Sequence, residues 1–137
     1  MAEAVFVQMV QEAGLAGKIE VDSAGTGDWH IGHRAHQGTL DILKLNGVPE
    51  PSRARQIRLA DLDEFDYVIV MDNSNLTNVR ALGTGRAHVA RLLDTVQEVS
   101  DKEVPDPYFT GGFAPVYQLV RRGCEELLAV IRANHNL

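Results

Sequence analysis

The sequence predicts an α/β domain built on a small parallel sheet, and three observations predict it. Segments with helical apolar spacing alternate along the chain with short β-branched runs, the pattern of strands joined by crossover helices. The 137 residues amount to one domain. Apolar residues make up 45% and charged residues 23%, a balance that closes one core without disulfides or metals. Disordered, collagen-like and coiled-coil compositions are excluded on the same grounds. No internal repeat, linker or low-complexity tract divides the chain, so residues 1–137 are read as a single domain.

The elements follow in order. Met1 to Ala13 carries Val5, Phe6, Met9, Val10 and Ala13 at helical spacing and stops at Gly14, with no capping residue before it. Lys18 to Asp22 is a short strand candidate that runs into the loop Ser23-Ala24-Gly25-Thr26-Gly27-Asp28. His36 to Asn46 is a helix with Leu40, Leu43 and Leu45, closed by Gly47 and Pro49. Arg55 to Leu59 is a short extended candidate, and Leu62 and Phe65 with acidic neighbours suggest a helical turn. Tyr67 to Met71 is a buried strand by length and β-branched content. Asp72 is placed to cap a helix through Leu82. Val89 to Leu93 is the next strand candidate, and Val104 to Gly112 a Pro/Gly loop. Phe113 to Asn134 is a long helix with Val116, Val120, Cys124, Leu127, Leu128 and Ile131 on one stripe. Ligands of parallel α/β sheets sit at the carboxyl ends of strands, which directs attention to residues 23–34, 72–75 and 104–112.

Charge and cysteine usage bound the function. Thirteen Lys and Arg against nineteen Asp and Glu give a formal charge of −6. Nucleic acid or an anionic membrane surface is therefore not the expected partner, since phosphate backbones need a basic face. A small phosphate site made of backbone amides needs little net charge and stays open. One cysteine, Cys124, allows no internal disulfide. The longest strongly apolar run, Tyr67 to Met71, is far short of the ~20 residues that span a bilayer. Ala2-Glu3-Ala4 after Met1 is not the basic start of a signal peptide, and a cytoplasmic location is expected.

Several residues are candidates for chemistry. In Val104-Pro105-Asp106-Pro107-Tyr108-Phe109, the two prolines stiffen the backbone on either side of Asp106. An acid held rigidly beside two aromatics suits proton donation to an aromatic leaving group; a turn with a solvated Asp is the plainer reading. Trp29, the one tryptophan, lies in a Gly-rich loop where it is either a site wall or core. His30, His33 and His36 have no cysteine nearby and no spacing that fixes a coordination geometry, so a metal is rejected in favour of a loop rim. Arg53, Arg55 and Arg58 would steer an anion or, more simply, pair with acids on the surface. Ser23 lacks the G-x-S-x-G frame of a hydrolase elbow. Cys124 falls on the apolar stripe of the last helix and is read as a small hydrophobe, not a nucleophile.

Taken together, five stretches in order resemble the low-molecular-weight protein-tyrosine phosphatases, a family with bacterial members and related arsenate reductases. They are Met1-Ala2-Glu3-Ala4-Val5-Phe6, Asp22 to His30, Ala54-Arg55-Gln56, Met71-Asp72-Asn73-Ser74-Asn75-Leu76 and Pro105-Asp106-Pro107-Tyr108-Phe109, which cover the chain nearly end to end. The resemblance implies a three-layer α/β/α fold and hydrolysis of phosphotyrosine proteins or aryl phosphates through a cysteinyl-phosphate, without metal or cofactor. It makes Asp106 the general acid, Trp29 and Tyr108 the aromatic walls of the cleft with Phe109 beside them, and Ser23 a support of the phosphate loop. Ser52 stands where many members have a histidine in the same network.

The family's Cys-x₅-Arg-Ser-Pro loop, which carries the nucleophile, the phosphate-cradling amides and the clamping arginine, has no match in these residues. In the family it precedes the Met-Ala-Glu-Ala-Val-Phe helix and follows a central strand, between the strand near Ile19 and that near Tyr67. The sequence as written is therefore expected to be inactive. It is also expected to leave unpaired backbone and an opened core, with self-association through the sheet gap as one outcome. A start set at an internal methionine is the favoured explanation. The alternative is a non-catalytic pseudophosphatase that binds phosphoproteins or dimerises. Arsenate reduction ranks low because no second cysteine exists, and an unrelated nucleotide-binding α/β domain is weak because Gly25-Thr26-Gly27 lacks a third glycine and a following helix.

Overall fold

The computed structural model of the protein describes residues 1–27, 31–106 and 112–137. In chain order the described elements are α1 (Ala2–Glu12), α2 (Gln37–Leu45), α3 (Asp61–Glu64), β1 (Tyr67–Val70), α4 (Asn73–Leu82), β2 (His88–Arg91), a 3₁₀ turn (Leu92–Thr95) and α5 (Phe113–His135). β1 and β2 pair in parallel, with Tyr67 opposite His88 and Val70 opposite Arg91. The α4 crossover between them is what a parallel pair requires.

The sheet divides the interior into two apolar layers. Tyr67, Ile69 and Met71 turn toward a core made by Val5, Phe6 and Val10 of α1, Leu43 of α2 and Val116, Val120, Cys124 and Ile131 of α5. Val68 and Val89 pack on the other face with Val70, Leu62 and Val79. Alternate residues of one strand thus feed opposite layers, which is why the run Tyr67 to Val70 is apolar throughout rather than alternating. This is the α/β layering that the sequence predicts.

Local chemistry sets the boundaries. Asp72 accepts a hydrogen bond from the Asn75 N–H at 2.7 Å and caps α4 as expected. Asn75 in turn accepts from the Met71 N–H at 3.3 Å, and Glu103 accepts from the Asn73 N–H at 2.9 Å. α2 is capped by His36, whose Nδ1 accepts from the Gly38 N–H at 3.1 Å. α1 begins without a side-chain cap. α5 ends on Asn136 in the left-handed region at φ 58°, a conformation that asparagine tolerates. Gly123 lets α5 close on the 3₁₀ turn: a Cβ there would lie 2.5 Å from Leu92 Cγ.

Three expectations need correction. No strand forms over Lys18 to Asp22, because a strand needs a ladder partner and none of the described residues supplies one; Glu20, Val21 and Asp22 make no backbone–backbone hydrogen bond. The expected piece over Arg55 to Leu59 reduces to a single parallel bridge, Gly25 to Gln56, with Gly25 N–H to Arg55 O at 2.8 Å and Ile57 N–H to Gly25 O at 2.9 Å. The second strand ends at Arg91, not Leu93, since the Asp94 carboxylate accepts from both the N–H and the Nε of Arg91 at 2.9 Å and turns the chain. Among the described residues no helix is long and apolar enough to cross a membrane.

Candidate active site

Asp106 reaches the carboxyl end of the sheet through its own loop. The buried Val104 donates its N–H to the Met71 carbonyl at 2.9 Å, which fastens the segment to the residue just after β1. Pro105 then fixes the backbone on the approach to an exposed Asp106. The carboxyl group lines a cavity of about 1330 Å³ that also receives Ser23, Asp72, His33 and the first residues of α1. The uncapped N-terminus of α1 opens into this space, and such a helix end favours an anion through its N–H groups and dipole.

A hydrogen-bond node on Glu3 holds three separate segments around that helix end. The Ser23 hydroxyl donates to Glu3 Oε1 at 2.6 Å, and the Ser52 hydroxyl donates to both carboxylate oxygens at 2.8 and 2.9 Å. Glu3 sits in the first turn of α1, Ser23 in the 23–27 loop and Ser52 in the stretch before Arg53. Ser23 is thus hydrogen-bonded to Glu3, a residue that the sequence reading did not single out. The signal was present: an acid in the first turn of a helix lacking a cap is placed to collect outside donors.

Beneath this node lies a second network. Asp61, only 3% exposed, receives Arg55 Nη1 at 3.0 Å, Arg55 Nη2 at 3.2 Å and the Arg58 N–H at 2.8 Å. Arg55 also donates from Nε to Asp22 at 3.0 Å, and Asp22 accepts from the Ser23 N–H at 2.8 Å. Burial pushes the Asp61 carboxyl upward, but the hydrogen bonds from Arg55 and Arg58 and their charges outweigh it, and the group sits below its ordinary range. Hydrogen bonding to Asp61 raises Arg55 correspondingly, against its own burial. The basic cluster is therefore bracing. Arg53 donates to the Gly32 carbonyl at 3.1 Å, and Arg58 lies 3.8 Å from Asp61.

The remaining candidates separate. Trp29, Tyr108 and Phe109, the expected aromatic walls, lie outside the described residues, as does His30. His36 caps α2 and stacks on Phe113 at 5.3 Å with 14° between the rings. No cluster of three His, Cys, Asp or Glu able to hold a metal occurs among the described residues. Cys124 is 1% exposed and burial pushes its thiol up to about 12, so it carries no thiolate near neutral pH.

The family model described as low molecular weight phosphotyrosine protein phosphatase matches residues 1–137. The chain is 46% identical over 140 residues to the low molecular weight protein-tyrosine-phosphatase YfkJ of Bacillus subtilis, covering 100% of this chain and 90% of that protein. It is 36% identical over 138 residues to the protein-tyrosine-phosphatase PtpA of Staphylococcus epidermidis, covering 100% of this chain and 88% of the relative. The crystal structure of Bacillus subtilis YfkJ superposes with a TM-score of 0.92, over 97% of this chain and 86% of that one.

Proposed function

Because the chain belongs to the low molecular weight phosphotyrosine protein phosphatase family, we propose that it acts on phosphotyrosine proteins and aryl phosphates, with Asp106 as the general acid. The observation that carries this reading is the delivery of Asp106, by the Val104 to Met71 hydrogen bond, into the cavity where the N-terminus of α1 opens. The helix end favours the phosphoryl anion, and the acid stands on the same space to protonate the leaving phenolate. In this reading a thiolate that these residues do not supply takes the phosphoryl group as the phosphorus–oxygen bond to the phenol breaks and Asp106 gives its proton to the departing oxygen. Water then attacks phosphorus, its proton passing to the Asp106 carboxylate, and the phosphorus–sulfur bond breaks to return the thiolate and release inorganic phosphate. Trp29 and Tyr108, with Phe109 beside them, are proposed as the walls that receive the phenyl ring.

The phosphate-accepting thiolate is not Cys124, whose thiol is buried and protonated. Nor do the 137 residues contain a Cys-x₅-Arg loop. The reading therefore assigns thiolate and clamping arginine to polypeptide beyond these residues, and the 137 residues alone are proposed to be inactive. The protein is proposed to work in the cytoplasm.

The test is the leaving-group dependence of the product purified from its native host. Asp106→Asn is expected to lower kcat/KM, which covers only the steps through departure of the phenol, by about 10²-fold or more on phenyl phosphate, whose leaving group needs a proton. The loss on p-nitrophenyl phosphate, a better leaving group, is expected to be much smaller. Equal losses on both substrates would remove Asp106 from the acid role.

A further inference from the structure

The segment that delivers Asp106 is fastened at more than one point. Val104 N–H donates to the Met71 carbonyl at 2.9 Å, directly after β1. One hydrogen bond of this kind is a hinge, about which the residues that follow still turn. The half-buried Glu103 supplies a second anchor on a different element. Its Oε1 accepts from the N–H of Asn73 at 2.9 Å, and Asn73 is the first residue of α4. The first N–H groups of a helix have no partner within it, and a carboxylate is favoured there by the helix dipole. Asp72 takes the Asn75 N–H, and Glu103 takes that of Asn73.

Asn73 is itself held from the sheet. Arg91, the last residue of β2, donates from Nη1 to Asn73 Oδ1 at 3.0 Å and from Nε to Asp94 Oδ1 at 2.9 Å. The approach to Glu103 is tied as well. Its N–H donates to Asp101 Oδ1 at 3.0 Å, and Lys102 Nζ donates to the carbonyls of Val96 and Val99 at 2.5 and 2.6 Å. Beyond Val104, only Pro105 separates the last tie from Asp106. The proline ring fixes its own φ and biases Val104 toward extended backbone, so the direction set at 103 and 104 passes to Asp106 with few free rotations.

We infer that Glu103 is a positioning residue for the proposed acid: through Asn73, with Arg91 behind it, its carboxylate fixes the rotation of the 103–106 arm and so aims Asp106 into the cavity. Glu103, Asn73 and Arg91 do not line that cavity themselves. The inference rests on the reading of Asp106 as general acid and extends it to residues that act through Asp106. The contribution is geometric, because a misplacement of about 1 Å at a reacting group can cost about 10²-fold in rate.

The test compares phenyl phosphate with p-nitrophenyl phosphate for variants of the product purified from its native host. Glu103→Ala is expected to lower kcat/KM by about tenfold on phenyl phosphate and by less than about twofold on p-nitrophenyl phosphate, whose leaving group needs the acid less. Glu103→Gln keeps an acceptor oxygen for the Asn73 N–H and is expected to retain most of the activity. In an Asp106→Asn background Glu103→Ala is expected to add no further loss, since no acid remains to be aimed. Hydrogen exchange at the Val104 amide reads the arm without the chemistry, and Glu103→Ala is expected to speed it about tenfold. Equal losses on the two substrates, losses additive with Asp106→Asn, or an unchanged Val104 amide would overturn the positioning role. If Asp106→Asn discriminates the substrates and Glu103→Ala does not, this inference alone fails. If Asp106→Asn does not discriminate them, the acid reading fails and takes this inference with it.

Discussion

At the scale of single residues, Cys124 and Asp61 show how burial acts on opposite sides of chemistry. The Cys124 thiol is enclosed by the α1–α5 core and pushed up to about 12, so at pH 8 it stays protonated. Iodoacetamide is expected to leave the folded protein unmodified and to label one thiol per chain in denaturant. Rapid labelling of the native protein would contradict the burial. Asp61 is buried with partners, and its folded pKa lies below the unfolded value of about 4. A depressed carboxyl contributes stability that is present above the unfolded pKa and lost as pH falls through the folded one. Urea titrations are therefore expected to show wild type losing stability below about pH 4 more steeply than Asp61→Asn. At neutral pH that variant is expected to be less stable by about 1–3 kcal/mol, the cost of weakening a buried hydrogen-bonded group. Parallel pH profiles for the two proteins would show that Arg55 and Arg58 do not hold the carboxylate.

At the scale of elements, the contact between α5 and the 3₁₀ turn depends on the missing side chain of Gly123. A Cβ there meets Leu92 Cγ at 2.5 Å, inside a well-packed core. Gly123→Ala is expected to lower stability by about 1–3 kcal/mol despite alanine's better helix propensity, because overpacking outweighs it. A thermal midpoint equal to or above wild type would contradict this packing. The helices were legible in the sequence because each carries its own apolar stripe: Val5, Phe6 and Val10 in α1, and Val116, Val120, Cys124 and Ile131 in α5. β1 was legible because Tyr67 to Val70 is apolar and packs on two faces, and α4 because Asp72 caps it. Lys18 to Asp22 misled because β-propensity describes a fit to neighbouring strands, and these residues have none to pair with among those described. The site was half legible. Pro105 before Asp106 is a local feature, whereas the Glu3–Ser23–Ser52 node joins residues up to 49 positions apart. One sequence shows the placement of Glu3 in the first turn of α1, but not which distant serines it collects.

At the scale of the whole molecule, the sheet, the α1 end and the Val104 to Asp106 segment form a frame around the cavity that Asp106 lines. The residues that hold this frame together are distinct from those proposed to do chemistry: Arg55, Asp61 and Asp22 brace it from below, and Glu3 ties its rim. Cys124, the one thiol of these 137 residues, is buried and protonated, and the activity is proposed as divided between this frame and a thiolate that it does not contain. Phosphate release from a phosphotyrosine peptide is the measurement that tests this division most directly, comparing the product isolated from its native host with the purified 137-residue chain. The native product is expected to turn over the peptide and to lose most of that turnover on Asp106→Asn, while the 137-residue chain releases no phosphate above background. Turnover by the 137-residue chain, or a native product without activity, would contradict the account.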